Sequence, residues 1–136
     1  MTVLPMNRVV LFGLVGSVGF IVDAMAFGIL FNFIDLELMN ARAIAFFVAA
    51  TTTWFGNRQF TFSFAIKTNP FHQWQKFMVT ACISAVPNLA TFKVCVSILG
   101  SEGGMVFISL LIGVLVGMIS NFCLSSRWVF KTFPPQ

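Results

Sequence analysis

The sequence predicts an all-α integral membrane protein of four helical spans, and three observations carry that prediction. Of 136 residues, 58% are hydrophobic and only 9% are charged, with a mean hydropathy of +0.93. A soluble domain carries about 25% charged residues, so this chain cannot clothe a water-facing surface. Four apolar stretches, each close to the ~20 residues a helix needs to cross a bilayer, follow one another with short polar connectors. Basic residues gather at alternate ends of those stretches. Barrel strands are excluded by length, since they run to about 10 residues and alternate in polarity.

The first span is roughly 9–33. It stays apolar well past Ala24-Met25-Ala26, beyond the length of a signal-peptide core, and is therefore read as a retained helix. The second is roughly 41–62, the third roughly 77–99 and the fourth roughly 105–130. The connectors 33–40 and 100–104 are tight, as in helical hairpins. The middle connector, 63–75, is longer and polar, with Asn69-Pro70 as its breaker. The reading is one integral membrane domain made of two half-repeats, roughly 1–68 and 69–136. The repeat rests on pattern: N-R-Q-F-T-F at 57–62 answers S-S-R-W-V-F at 125–130, and Arg8 answers Lys76 before an apolar run. Two hairpins in series have the same orientation, so the pseudo-two-fold runs along the membrane normal, as in other parallel repeats.

Charge orients the spans. Arg8, Arg58, Lys67, Lys76, Arg127 and Lys131 share one side if the spans alternate, while Asp35, Glu37, Arg42 and Glu102 hold the other. The positive-inside rule then places both termini in the cytoplasm of an inner, cytoplasmic membrane. Trp74 and Trp128 fall at that interface, where belt anchoring is their simplest role. The net charge of +4 forms no stripe, so no nucleic-acid partner is expected. Cys82, Cys95 and Cys123 lie in apolar runs without ligand spacing and read as small apolar filler, not as a disulfide or metal set.

Polar groups within the spans are the candidates for function. Asp23 lies 15 residues after Arg8, about 22 Å along a helix. A carboxylate at that depth must face protein, water or a ligand, or be protonated. It serves substrate contact, proton coupling or a latch, or else it is a structural pair. Lys93 is its candidate partner by depth, with outward snorkelling as the alternative. Arg42 breaks the charge bias of its side and is either functional or an interfacial arginine. Asn88, behind Pro87, and Asn121 serve as helix–helix glue or as ligand contacts. Gly113 and Gly117 form G-x-x-x-G, and Gly13, Gly16 and Gly19 also permit close packing. Arg58 and Arg127, each at a helix end among aromatics, offer a permanently charged fork suited to phosphate. There is no clustered carboxylate pair, no metal-ligand spacing and no glycine-rich phosphate loop, so neither an enzyme nor a cofactor is expected.

Taken together, the segment from Arg8 through L-F-G-L-V-G-S-V-G-F-I-V-D to Asp23, Ala41-Arg42 with its helix ending N-R-Q-F-T-F, and N-F-C-L-S-S-R-W-V-F from Asn121 resemble the GtrA-like family of small four-span membrane proteins. The family usually carries two adjacent cations in each boundary motif; here Gln59 and Ser126 each replace one, Phe60 stands for a usual Trp and Thr53 for a usual Asn. The resemblance implies translocation of a polyprenyl-phosphate-linked monosaccharide for cell-surface polysaccharide synthesis. On it, Arg8, Arg58, Lys76 and Arg127 would receive the phosphate, with Arg42 accepting it at the far side. Asp23, Asn57, Asn88, Lys93, Asn121 and Trp128 would line the sugar's path. Two other readings stand beside it: a small proton-coupled exporter using Asp23, and a non-transporting membrane partner of a glycosyltransferase. The expected partners are the sugar lipid, membrane lipids, a possible glycosyltransferase and a second copy of the chain in a dimer.

Overall fold

The computed structural model describes residues 5–131, with side chains from Asn7 onward. Its elements are α1 (Pro5–Asn32), α2 (Leu38–Gly56), a π-helical turn π1 (Asn57–Thr61), α3 (Pro70–Leu99), α4 (Met105–Leu124) and a second π turn π2 (Ser125–Val129). No strand occurs among the described residues. Three stretches, Asn7–Asn32, Pro70–Leu99 and Met105–Val129, are long and apolar enough to cross a membrane. Outward-facing Phe20, Val86, Ile98, Phe107 and Ile119 suit a surface solvated by lipid tails rather than by water. The fourth helix, α2, is shorter and carries Asn40, Arg42 and the run Thr51-Thr52-Thr53, which lower its apolarity. Those threonines hide their hydroxyls by donating to carbonyls one turn back: Thr51 to Phe47, Thr52 to Val48 and Thr53 to Ala49, at 2.8–2.9 Å.

The first two helices start three or four residues earlier than the sequence reading has them, and the largest departure is in α3. The third helix starts at Pro70, seven residues before the expected position, so the N-terminal turns of α3 replace half of the predicted connector. Asn69-Pro70 acts as a helix start, not as a loop breaker. Asn69 Oδ1 accepts the Phe71 N–H at 2.9 Å, and proline at the first helical position loses no hydrogen bond because that N–H is unpaired in any helix. The first two turns carry His72, Gln73, Gln75 and Lys76, so no apolar run betrays them.

The chain divides into two compact units. The first holds α1, α2, π1, the following loop, residues 70–74 of α3, and Phe130-Lys131. Here α2 presents Ala41, Ala45, Ala49 and Ala50 as a buried small-residue face to α1. Gly19 meets Thr53, and a methyl at Gly56 would stand 2.8 Å from Val15 Cγ1. Only glycine allows the backbones this close. Phe62 lies between two rings: it stacks on Phe130 at 4.6 Å and meets Phe12 edge-on at 6.4 Å. The backbone N–H of Ile66 donates to the Lys131 carbonyl at 3.0 Å.

The second unit holds α3 from Gln75, α4 and π2. Asn88 of α3 lies against Gly113 and Gly117 of α4, where added methyls would meet its carbonyl oxygen and its Cβ at 2.8 Å. The G-x-x-x-G pair is thus used within the chain. Gly100, with φ of 86°, ends α3 in the left-handed conformation that glycine adopts without strain.

Candidate functional site

The local structure of the two basic-aromatic boundaries explains how their arginines are presented. Both boundaries wind into π turns that start 68 residues apart, at Asn57 and Ser125. The wider turn inserts an extra residue into the helical ladder, re-aims the side chains that follow, and recurs at functional sites. In π1, Asn57 and Thr61 are both 1% exposed. Thr61 Oγ1 donates to Asn57 Oδ1 at 2.8 Å. Near π2, Ser125 Oγ donates to Asn121 Oδ1 at 3.2 Å. Asn57 and Asn121, two of the three asparagines expected along a sugar path, therefore each spend one acceptor on a local bond that holds the turn.

Arg58 is the centre of the first unit's site. Its Nη1 donates to Gln73 Oε1 at 2.6 Å, its Nη2 reaches the Thr68 carbonyl at 3.4 Å, and its guanidinium lies 5.8 Å from the Trp54 ring. Gln73 is only 3% exposed, so it is a fixed acceptor that aims the guanidinium. Arg58 lines a cleft of about 260 Å³ together with Lys67, Gln59, Ser63 and Gln73, above a wall of Phe62, Ala65, Ile66 and Phe130. Two cations face this space and none of the residues lining it is acidic. An arginine whose contacts are all neutral keeps its charge available for an anion. The cleft is polar on one side and aromatic on the other, which fits an anionic head group with an apolar continuation.

The remaining predicted cations have individual settings. Arg8 lies 4.0 Å from the centre of the Phe64 ring. Lys76 Nζ lies 6.0 Å from the ring of Trp128, within the second unit. Arg127, also in that unit, is exposed. Arg42 Nη1 contacts Asp23 Oδ2 at 3.3 Å, with Phe27 5.1 Å beneath the guanidinium. Within the first unit Asp23 thus has a counter-ion that depth along the helices did not single out, Arg42; Lys93 is exposed on α3 in the second unit. Counting rise per residue ranks candidates by height alone. The hairpin turn brings Arg42 back beside Asp23, and only the packing of α1 on α2 reveals it. Trp74 is more than a belt residue, since its Nε1 donates to Thr51 Oγ1 at 3.1 Å and its ring meets Phe47 edge-on.

Sequence reasoning missed Lys67 and Gln73 as site residues. In the sequence Lys67 contributes only to the charge bias, and Gln73 falls in the polar connector 63–75. A signal existed for Gln73: a glutamine one turn after Asn69-Pro70 is where a capped helix places a side chain beside the preceding loop. The family model described as GtrA/DPMS, transmembrane domain, matches residues 11–130 of the chain. No curated protein is similar enough to match it.

Proposed function

The chain belongs to the GtrA/DPMS transmembrane-domain family, and on that premise we propose that it translocates a polyprenyl-phosphate-linked monosaccharide across the cytoplasmic membrane. The product serves cell-surface polysaccharide synthesis. The observation that carries this reading is the Arg58 cleft: a guanidinium aimed by a buried glutamine, a second cation in Lys67, and no acid in the lining. A phosphate offers acceptors on each oxygen, and arginine binds it through two parallel N–H bonds. In this reading α2 is a fourth crossing: with π1 it runs from Leu38 to Thr61, about 36 Å at 1.5 Å per residue, enough for a hydrocarbon layer of about 30 Å. With four crossings, the charge bias favours both termini and the Arg58 cleft at the cytoplasmic face. The two π turns at the same spacing as the sequence motifs favour a parallel repeat.

In this mechanism Arg58 and Lys67 take the phosphate, and Arg8, Lys76 and Arg127 raise the local positive potential at the loading face. Asn88 and Asn121 offer amides to the sugar hydroxyls, and the polyprenyl tail stays in lipid. Nothing in it requires a bond to be made or broken, so the protein acts as a transporter and not as an enzyme. The exporter reading is weaker because Asp23, its coupling residue, already has a counter-ion in Arg42.

The test is flipping of labelled polyprenyl-phosphate glucose in proteoliposomes. Replacing Arg58 and Arg127 together by alanine should cut the rate by an order of magnitude or more, since charge-assisted hydrogen bonds contribute about 1.5–3 kcal/mol each. Full flipping in that variant would overturn the phosphate assignment. A wild-type protein that flips nothing but co-purifies with a glycosyltransferase would replace transport by the partner role.

A further inference from the structure

The Arg42–Asp23 pair is built unlike a structural ion bridge. One guanidinium nitrogen meets one carboxylate oxygen, at 3.3 Å. Neither group makes another hydrogen bond among the described residues. The exposure is lopsided, with the Arg42 side chain 54% exposed and the Asp23 side chain 19%. Phe27 covers one face of the guanidinium, which leaves the edge with its remaining N–H donors open. Arginine carries five donors in a planar fork, and four of them are uncommitted here. Arg42 and Arg58 are 16 residues apart on the continuous run of α2 and π1, about 24 Å along the axis. The two arginines therefore stand at opposite ends of one helix, each with an aromatic ring at its guanidinium. They differ in their fixed partner: Arg58 has a neutral glutamine, and Arg42 has a carboxylate.

We propose that Asp23 is the resident competitor at Arg42, the residue already expected to accept phosphate at the far end of α2 from the Arg58 cleft, and that it keeps this second phosphate site weak. The ligand is a phosphate monoester or diester, presented by a lipid head group or free in the adjoining water. The phosphate takes the open edge of the guanidinium, and the Asp23 carboxylate stays in place beside it. Two anions on one cation repel, so the bound phosphate is held more weakly than at Arg58. A cation without Asp23 would trap the phosphate and stop turnover. The proposal takes the ligand's chemistry from the translocation reading and gives Asp23 a specific task within it, as the group that keeps the release site weak.

The test uses phenylglyoxal, which labels guanidinium groups, on wild-type protein in phosphatidylcholine nanodiscs. Labelling of each arginine is read by mass spectrometry with farnesyl phosphate or inorganic phosphate as protectant. Farnesyl phosphate should slow labelling of both arginines, with Arg42 requiring the higher concentration. In Asp23→Asn the concentration that protects Arg42 should fall about tenfold, while that for Arg58 stays put. Protection by inorganic phosphate as well identifies a free anion as sufficient, and protection by farnesyl phosphate alone identifies a lipid head group; both support the site. Arg42 that stays unprotected at saturating farnesyl phosphate, while Arg58 is protected, overturns this inference and leaves the loading cleft standing. Protected Arg42 with unprotected Arg58 does the reverse. An unchanged protecting concentration at Arg42 in Asp23→Asn overturns the competitor role, and Asp23→Ser makes the same comparison where Asp23→Asn does not fold.

Discussion

Arg58 and Arg42 show how one residue type acquires opposite properties from its neighbours. Gln73 fixes the Arg58 guanidinium through a 2.6 Å bond without neutralising it. Replacing Gln73 by leucine keeps the volume and removes the acceptor, so the guanidinium loses its aim but not its charge. Flipping by Gln73→Leu should fall several-fold through weaker substrate binding, with the maximal rate less affected, in a concentration series of labelled sugar lipid. An unchanged half-saturation would mean that Gln73 serves only packing. Thr61→Val is a purely structural counterpart. It leaves Asn57 Oδ1 without its buried donor, at a cost of about 1–3 kcal/mol, read as a lower unfolding midpoint in detergent. The cations at helix ends and the intramembrane Asp23 were legible in the sequence, because charge is conspicuous against an apolar background. Lys67 and Gln73 were not. Their importance comes from folding back onto Arg58 across 9 and 15 positions of chain, and a polar residue in a polar loop carries no contrast.

Among the helices, glycine positions separate contact from mere composition. A methyl at Gly117 would stand 2.8 Å from Asn88 Cβ, whereas one at Gly28 meets nothing within 4 Å. Gly117→Ala should therefore destabilise the α3–α4 hairpin by about 1–3 kcal/mol, the usual cost of overpacking. Gly28→Ala should be neutral or stabilising by up to about 1 kcal/mol, from helix propensity alone. Thermal unfolding of both variants in one detergent checks the contrast; equal midpoints would mean that α3 and α4 do not pack through this pair. The motif at 113 and 117 was readable in advance, but its partner was not, because G-x-x-x-G states that something approaches closely and not what. The early start of α3 was hidden for a related reason. Apolar runs report where a helix meets lipid, and the cap at Asn69 with Pro70 begins a helix whose first two turns are largely polar.

Taken end to end, the chain depends for its topology on α2, the element whose threonines and Arg42 dilute its apolarity. If α2 crosses, the connector 33–37 and the loop 62–69 lie on opposite sides, and the six cations Arg8, Arg58, Lys67, Lys76, Arg127 and Lys131 lie together. If it does not cross, those two segments share a side, Arg42 joins Arg58, Lys67, Lys76, Arg127 and Lys131, and Arg8 alone lies opposite. Lysine and arginine near span ends govern orientation while acids contribute little, and both arrangements put six of these seven cations on one side, so it is the length of α2 with π1 that favours crossing. Single cysteines decide between them. After Cys82, Cys95 and Cys123 are replaced by alanine, Glu37→Cys and Glu102→Cys should react with a membrane-impermeant maleimide in intact cells. Ser63→Cys should react only after the cells are opened. Glu37→Cys and Ser63→Cys reacting from the same side would remove α2 from the membrane. If both react in intact cells, the Arg58 cleft lies on the outer face, and the cleft could then no longer be the entry point for a lipid-linked sugar made in the cytoplasm.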